Sequence, residues 1–320
     1  MLITLIRGIG FVVLALVLGT MVIGWIAALM RIGSKPPYEM VDIGDGRRLH
    51  VVCEGPVGAP FVLYDAGAFG IYTDGWWVKE ELKSDYRVCL YDRAGMGWSD
   101  PMPTGASPTP DWHIEDMRRL RAALGENQPF VLVGHSMAGL RLHGYANLYK
   151  EELQGLVFVD AARPGSLRAE RIRQIAPWAK RIMNLSIGMA RAGLMGGLSY
   201  LLPDELDLPK QQGRDKRRSL SIARHHKSTK AELVAAFTSS DDVRWAQGQE
   251  AETLPVAVFT NSDGGGSNGS VARAAEVNTG FGRITVLPEE THVSLLNRTN
   301  AKLIASDVRA MMPVGEPSDG

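Results

Sequence analysis

The segment Phe130-Val131-Leu132-Val133-Gly134-His135-Ser136-Met137-Ala138-Gly139-Leu140 constrains this chain more than any other. Apolar residues of strand length run into Gly-His-Ser, and an apolar helical pattern starts directly afterwards. A strand can pass into a helix through so short a turn only if the side chains two before and two after the serine are small, because larger ones would collide. Gly134 meets that demand outright. Ala138, followed by Gly139, meets it with the next smallest side chain. The helix that follows also points its N-terminal dipole and free N–H groups toward the serine.

Short continuous apolar runs recur at residues 61–64, 87–91, 156–159, 256–259 and 283–287. Such runs suit strands buried on both faces, as in a parallel sheet covered by helices. Residues 39–43 and 48–53 flank Gly44-Asp45-Gly46 and read as a hairpin. Helical patterns over 77–83, 114–124, 137–149 and 293–311 alternate with the strands, so the expected class is α/β, with about eight strands. Residues 164–252 break the alternation. They carry helical patterns at 167–180, 183–194, 216–225 and 230–238, and are expected to form a helical cap inserted between two strands. The expected domains are 1–37 (anchor and linker), 38–163 with 253–312 (core), 164–252 (cap) and 313–320 (disordered tail).

Taken in order, these segments resemble serine hydrolases of the α/β-hydrolase fold over roughly residues 38–312. The Gly-His-Ser turn has the strand–turn–helix context of a nucleophile elbow. Val62-Leu63-Tyr64-Asp65-Ala66-Gly67-Ala68 is similar to the oxyanion segment after the third strand, with Asp65-Ala66-Gly67 in place of the commoner His-Gly pair. The stretch from Val88 to Ser99 is similar to the turn after the fourth strand. The stretch from Leu156 to Pro164 is similar to the sixth strand and cap entrance, and Glu290-Thr291-His292-Val293 to the late loop carrying a catalytic histidine. The resemblance implies a mostly parallel eight-stranded sheet flanked by helices, and esterase- or lipase-like chemistry.

Serine becomes a nucleophile when a base takes its proton, and histidine titrates in the useful range. Ser136 is the expected nucleophile. Of seven histidines only His292 lies in a loop after the last strand, in the family's Ser…Asp…His order, and it is the expected base. His135 is expected to leave the turn in another direction; His50 and His143 fall in strand and helix, and His113, His225 and His226 in loop or cap. The acid that orients the imidazole is either Asp263, after the seventh strand but before the glycine-rich 264–269, or Asp160, at the end of the sixth. The backbone N–H groups of Ala68 and Met137 are expected to hold the oxyanion. Asp92-Arg93 and Trp98-Ser99-Asp100 read as a turn and ion pair at the rim. Tyr72, Trp76, Trp77, Met183, Met189 and Met195 read as core or as the lining of an acyl pocket.

The expected substrate is a small-molecule carboxylic ester. An amide, as in aminopeptidase-like relatives, is the alternative within the enzyme class, and a catalytically silent fold that binds a ligand or partner is the alternative outside it. Serine at the elbow argues against epoxide hydrolase and haloalkane dehalogenase activity, whose relatives place an aspartate there. Lys and Arg total 35, as do Asp and Glu, so the chain lacks the basic excess of a nucleic-acid binder. No paired cysteine spacing occurs and no Gly-x-Gly-x-x-Gly opens a helix after the first strand, so neither metal nor cofactor is expected.

The 22 residues from Ile9 to Met30 carry no charge. As a helix they would span roughly 33 Å, against a hydrocarbon core of about 30 Å. The run is longer than a secretory signal and lacks a convincing cleavage site, so a single-pass membrane anchor is expected. The α-amino group and Arg7 balance Arg31 and Lys35, which leaves the side of the membrane open, with the extracytoplasmic side the working expectation. Both cysteines, Cys53 and Cys89, sit in strand-like runs and read first as small buried hydrophobes. In the fold implied above the second and fourth strands are neighbours, so a disulfide is the alternative in an oxidising compartment.

Overall fold

The structure, a computed structural model, describes residues 2–29, 33–106, 108–163, 170–201, 203–239, 254–261 and 281–314. Eight strands form one sheet: β1 (Glu39–Asp42), β2 (Arg48–Glu54), β3 (Phe61–Asp65), β4 (Arg87–Tyr91), β5 (Phe130–His135), β6 (Leu153–Val159), β7 (Val256–Thr260) and β8 (Gly282–Val286). Their order is β1-β2-β4-β3-β5-β6-β7-β8. The β1–β2 hairpin and the β2–β4 pair are antiparallel, and all other pairs are parallel. Every residue of β3, β5 and β7 is buried, which is why these strands read as continuous apolar runs rather than as alternations.

Helices α3 (Pro110–Leu124) and α4 (Ala138–Tyr149) cover one face of the sheet, packing Met117, Leu120, Leu142 and Tyr145 against Phe61, Leu63, Phe130 and Leu132. Helices α2 (Trp76–Leu82) and α9 (Arg298–Met311) cover the other, with Val78, Leu82, Ile304 and Val308 against Val62, Val88, Val131 and Val157. Local chemistry sets their ends. The Thr109 side chain accepts from Trp112 N ahead of Pro110, and Gly125 closes α3 at φ 75°. The single helix expected over 293–311 is divided, because the Asn297 side chain accepts from Asn300 N and starts α9 anew after a 3-10 turn at Ser294–Leu296.

Between β6 and β7 lie α5 (Glu170–Arg191), α6 (Leu194–Leu198), α7 (Lys210–Leu220) and α8 (Ala223–Ser239). Among the described residues the patterns at 167–180 and 183–194 merge into the one helix α5, which ends before Gly193 turns the chain at φ 81°. The basic run Lys216-Arg217-Arg218 closes α7 instead of opening a helix, as suits cations beside exposed carbonyls. Residues 164–169, 202 and 240–253 of the expected cap, and 315–320 of the expected tail, lie outside the described residues. The apolar N-terminal run forms α1 (Leu2–Leu29). Its stretch Arg7–Ile26 has a mean hydropathy of 2.5, long and apolar enough to cross a membrane. Cys53 and Cys89 face each other in the β2–β4 register with Cα atoms 4.1 Å apart, and they form a disulfide.

Buried imidazoles such as His143 and His225 make stability depend on pH. His143 of α4 lies against the Phe158 ring at 4.9 Å, and burial, with Arg163 adding to it, lowers its pKa to about 4. His225 of α8 is lowered to about 4 by burial and by His226. An unfolded chain protonates both near pH 6.5, whereas the native state resists until about pH 4. Stability is therefore expected to fall between those values, by roughly 1 kcal/mol per pH unit for each histidine. Urea midpoints across this range should show the slope, and His143→Leu should flatten part of it.

Candidate active site

Ser136 lies between β5 and α4 with φ 56°, a left-handed conformation that costs a non-glycine residue free energy. Neighbouring backbone over-determines the turn. Ser136 N donates to Val159 O at 3.1 Å, while Ser136 O accepts from Gly139 N at 3.0 Å and Ala162 N at 2.8 Å. A Cβ built on Gly134 would lie 2.5 Å from Leu142 Cδ1 and 3.0 Å from Ala138 Cβ, so the demand for small residues around the serine is real. Gly139 admits the chain leaving β6, since a Cβ there would fall 2.1 Å from Ala162 O.

His292 sits in the loop after β8, and its side chain is half exposed. Its Nδ1 lies 2.5 Å from Asp160 Oδ2. Asp160 closes β6 with φ 37° and donates its N–H to Phe259 O at 2.7 Å, so the carboxylate stands on a tied turn one strand over from Ser136. Asp263 lies outside the described residues. His135, expected to point elsewhere, packs its ring on that of His292 at 4.5 Å, and its Nε2 lies 2.8 Å from His292 O. Burial, and then the nearby His292, lower the His135 pKa to about 4. It is therefore neutral near pH 7 and can donate to that carbonyl. Its position beside the serine was legible; its hold on a loop 157 residues later was not.

The loop after β3 passes directly over the turn. Gly67 stands so close to Ser136 that a Cβ on it would lie 2.7 Å from Ser136 Cβ. Two buried arginines hold this loop from beneath. Arg93 donates to Ala66 O at 2.5 Å and Gly67 O at 2.8 Å, and Arg141 donates to Ala66 O at 2.7 Å. Two buried carboxylates balance the cations: Asp65, 2.5 Å from Arg141 Nε, and Glu232 of α8, 3.0 Å from Arg93 Nε. Burial alone would raise the Glu232 pKa, but Arg93 and His113 hold it far below the usual carboxylate range. In a trans peptide the carbonyl and the next N–H point in opposite directions. With Gly67 O on Arg93, the Ala68 N–H is turned away from Arg93. With Ser136 O on Gly139 and Ala162, the Met137 N–H is turned away from those amides. Among the described residues no backbone carbonyl accepts from either N–H.

The residues read as a rim ion pair separate. Asp92 meets buried His50 at 3.0 Å and accepts from Tyr72 N and Trp98 N, whereas Arg93 pairs with Asp65 and Glu232. Asp100 pairs instead with Arg48, at 3.1 Å. Tyr72 and Trp76 are buried and cluster with the half-buried ring of Tyr38, and Met183 is buried too. Arg141 and Glu232 escaped the sequence reading, and Arg93 was read only as part of a rim turn and ion pair, because their shared role depends on long-range proximity.

Strain at Ser136 yields a direct test. Ser136→Gly should unfold at higher urea than Ser136→Ala, by about 1 kcal/mol, because glycine accepts φ 56° without a Cβ penalty. Equal midpoints would mean that the turn stores no such strain.

A family model for the alpha/beta hydrolase fold matches residues 66–193. A protein of Hormonema carpetanum named as a probable transporter is 31% identical over 150 residues, which is 45% of this chain and 21% of that protein. Epoxide hydrolase 4 of Mus musculus is 32% identical over 120 residues, 37% of this chain and 33% of that protein. The chain thus spans a third or less of either relative's length. A thermophilic esterase from Thermogutta terrifontis superposes with a TM-score of 0.60 at 20% identity, over 85% of this chain and 97% of its own. Sheet order, strained turn and family match together identify this chain as a protein of the α/β-hydrolase fold.

Proposed function

We propose that this protein is a membrane-anchored serine hydrolase that cleaves a carboxylic ester through an acyl-enzyme. The observation that carries the reading is the 2.5 Å approach of His292 Nδ1 to Asp160 Oδ2, in the corner where left-handed Ser136 joins β5 to α4. With Nδ1 engaged by the carboxylate, Nε2 is the nitrogen left to take the serine proton. Ser136 Oγ attacks the ester carbonyl as that proton passes to His292. The C–O bond to the alcohol breaks as the imidazolium returns the proton, and water repeats the sequence to release the acid. The N–H groups of Ala68 and Met137 stabilise the oxyanion at low reorganisation cost, because the carbonyls of their own peptides are already bonded.

On this reading Asp160, not Asp263, is the orienting acid. Serine at the elbow sets the chain apart from the aspartate expected for epoxide opening and favours acyl transfer of the kind the esterase neighbour's name implies. Residues 1–37 are the anchor and linker, 38–163 and 253–312 the catalytic core, and 164–252 a cap. The Cys53–Cys89 disulfide favours a catalytic domain on the oxidising, extracytoplasmic side.

A fluorophosphonate probe is expected to label the full chain, and Ser136→Ala to abolish labelling. A folded wild type that neither labels nor cleaves a graded series of esters would sink the proposal. Asp160→Asn is expected to lower kcat roughly ten-thousand-fold, whereas Asp263→Asn should leave it within a few-fold. The opposite ranking would transfer the role of orienting acid to Asp263.

A further inference from the structure

Helix α1 does not stand free of the rest of the protein. Its face formed by Thr20, Met21, Gly24 and Trp25 packs on Gly193 and α6, among the helices inserted between β6 and β7. The contact is almost backbone to backbone. A Cβ on Gly24 would fall 2.0 Å from Gly193 O, one on Gly193 would fall 2.8 Å from Met21 O, and one on Gly197 would fall 3.0 Å from Thr20 Cβ. All of these α1 residues belong to the apolar stretch Arg7–Ile26. Thr20 is six residues from its end, about 9 Å along a helix. An α1 that crosses a bilayer therefore carries α6 with it to the depth of the headgroup–acyl boundary, where surface helices bury about 5–10 Å.

The surface continuous with α6 suits that depth. On α5, Met183, Ile187 and Ala190 face inward, whereas Trp178, Ile182 and Leu185 form an outward stripe at i, i+4 and i+7, each 61–63% exposed. Tyr200 and Leu201, just after α6, are still more exposed, at 68% and 78%. No acidic residue occurs from Pro177 to Pro203, while Lys180, Arg181 and Arg191 are exposed beside the apolar stripe. Arg181 stacks over Trp178 at 5.5 Å. Asp204 and Glu205 are exposed only beyond Leu201, so the α5 stripe itself has a basic border, and apolar anchors bordered by cations are what an anionic lipid surface attracts.

We propose that Trp178, Ile182, Leu185, Tyr200 and Leu201 form a second membrane contact, lying in the headgroup–acyl boundary of the leaflet that α1 enters. The proposal rests on the reading of α1 as a membrane anchor. It goes further by making the inserted helices, and not α1 alone, lipid-embedded. The basic border selects anionic lipid, and the Gly24–Gly193 seam fixes the depth.

The test uses the full chain in vesicles of phosphatidylcholine with phosphatidylglycerol. Single variants Ile182→Cys, Val13→Cys in α1 and Lys302→Cys on the exposed side of α9 are labelled with an environment-sensitive fluorophore, the native cysteines being bonded to each other. The Ile182 label is expected to be quenched by nitroxide lipids with a shallow spin label and to be protected from aqueous iodide several-fold relative to Lys302. Iodide quenching at Ile182 equal to that at Lys302, with Val13 protected, would overturn the second contact and leave the anchor standing. Iodide access at Val13 would overturn the anchor, and the proposal with it. Protection of Ile182 without lipid quenching would mean that another copy of the chain covers this face, and would also overturn it.

Discussion

Arg93 and Arg141 converge on the carbonyls of Ala66 and Gly67, and the geometry around Ser136 hangs from that convergence. Two guanidinium groups taken out of water would be ruinous alone, but Asp65 and Glu232 balance them and the two carbonyls use further donors. The result is a buried cluster with no net formal charge whose hydrogen bonds end on the loop over the serine. Peptide planarity converts this hold on carbonyl oxygens into a hold on the N–H groups that follow. The turn at Ser136 uses the same device with backbone donors, since Ser136 O accepts from both Gly139 and Ala162. Two peptides from distant parts of the chain are thus held in fixed orientation beside Ser136, and for the proposed hydrolysis that is the condition under which fixed dipoles stabilise developing charge best.

The parts of this arrangement differ in how legible they were. Strands β3, β4 and β5 were plain because burial on both faces demands unbroken apolar runs, and the elbow was plain because Gly134 and Ala138 obey a local steric rule. The division of the last helix at Asn297 was readable in principle, since asparagine is a favoured N-cap, but the apolar pattern runs across it. Whether Asp160 or Asp263 orients the imidazole was not readable, because each follows a strand in the sequence. The approach of Asp160 to His292, on which the proposed role of Asp160 rests, is a contact made across 132 residues. Glu232 was hidden for the same reason. On a helix rich in polar residues nothing local distinguishes a carboxylate that enters the core from one that meets water.

Glu232 also changes what the inserted helices are in energetic terms. Helices on top of a sheet could rest on apolar contacts alone and lift with little penalty. Here α8 sends a carboxylate into the core, where Arg93 and His113 both meet it. Withdrawing it would leave a buried guanidinium short of a partner, a change that typically costs about 3–5 kcal/mol. Helix α7 is tied to the same side of the molecule by Tyr72 to Asp215 at 2.6 Å and Lys216 to Asp74 at 2.8 Å. The inserted helices are therefore part of the folded core in energy, although they lie outside the sheet in topology.

That coupling joins the two ends of the molecule. Helix α1 packs on α6, α6 and α5 are consecutive around Gly193, α5 packs on α8, and α8 places Glu232 in the cluster that holds the loop over Ser136. The first joint is a backbone contact that admits no side chain, at Gly24 and Gly193, the α5–α8 joint carries hydrogen bonds between His226 and Ser186 and from Lys230 to Asn184, and the last is a buried ion pair that tolerates little displacement. Stiff joints in series transmit position. Wherever α1 is fixed, the orientation of the serine relative to it is fixed as well, so the placement of the apolar N-terminal helix and the geometry of the site form a single structural problem.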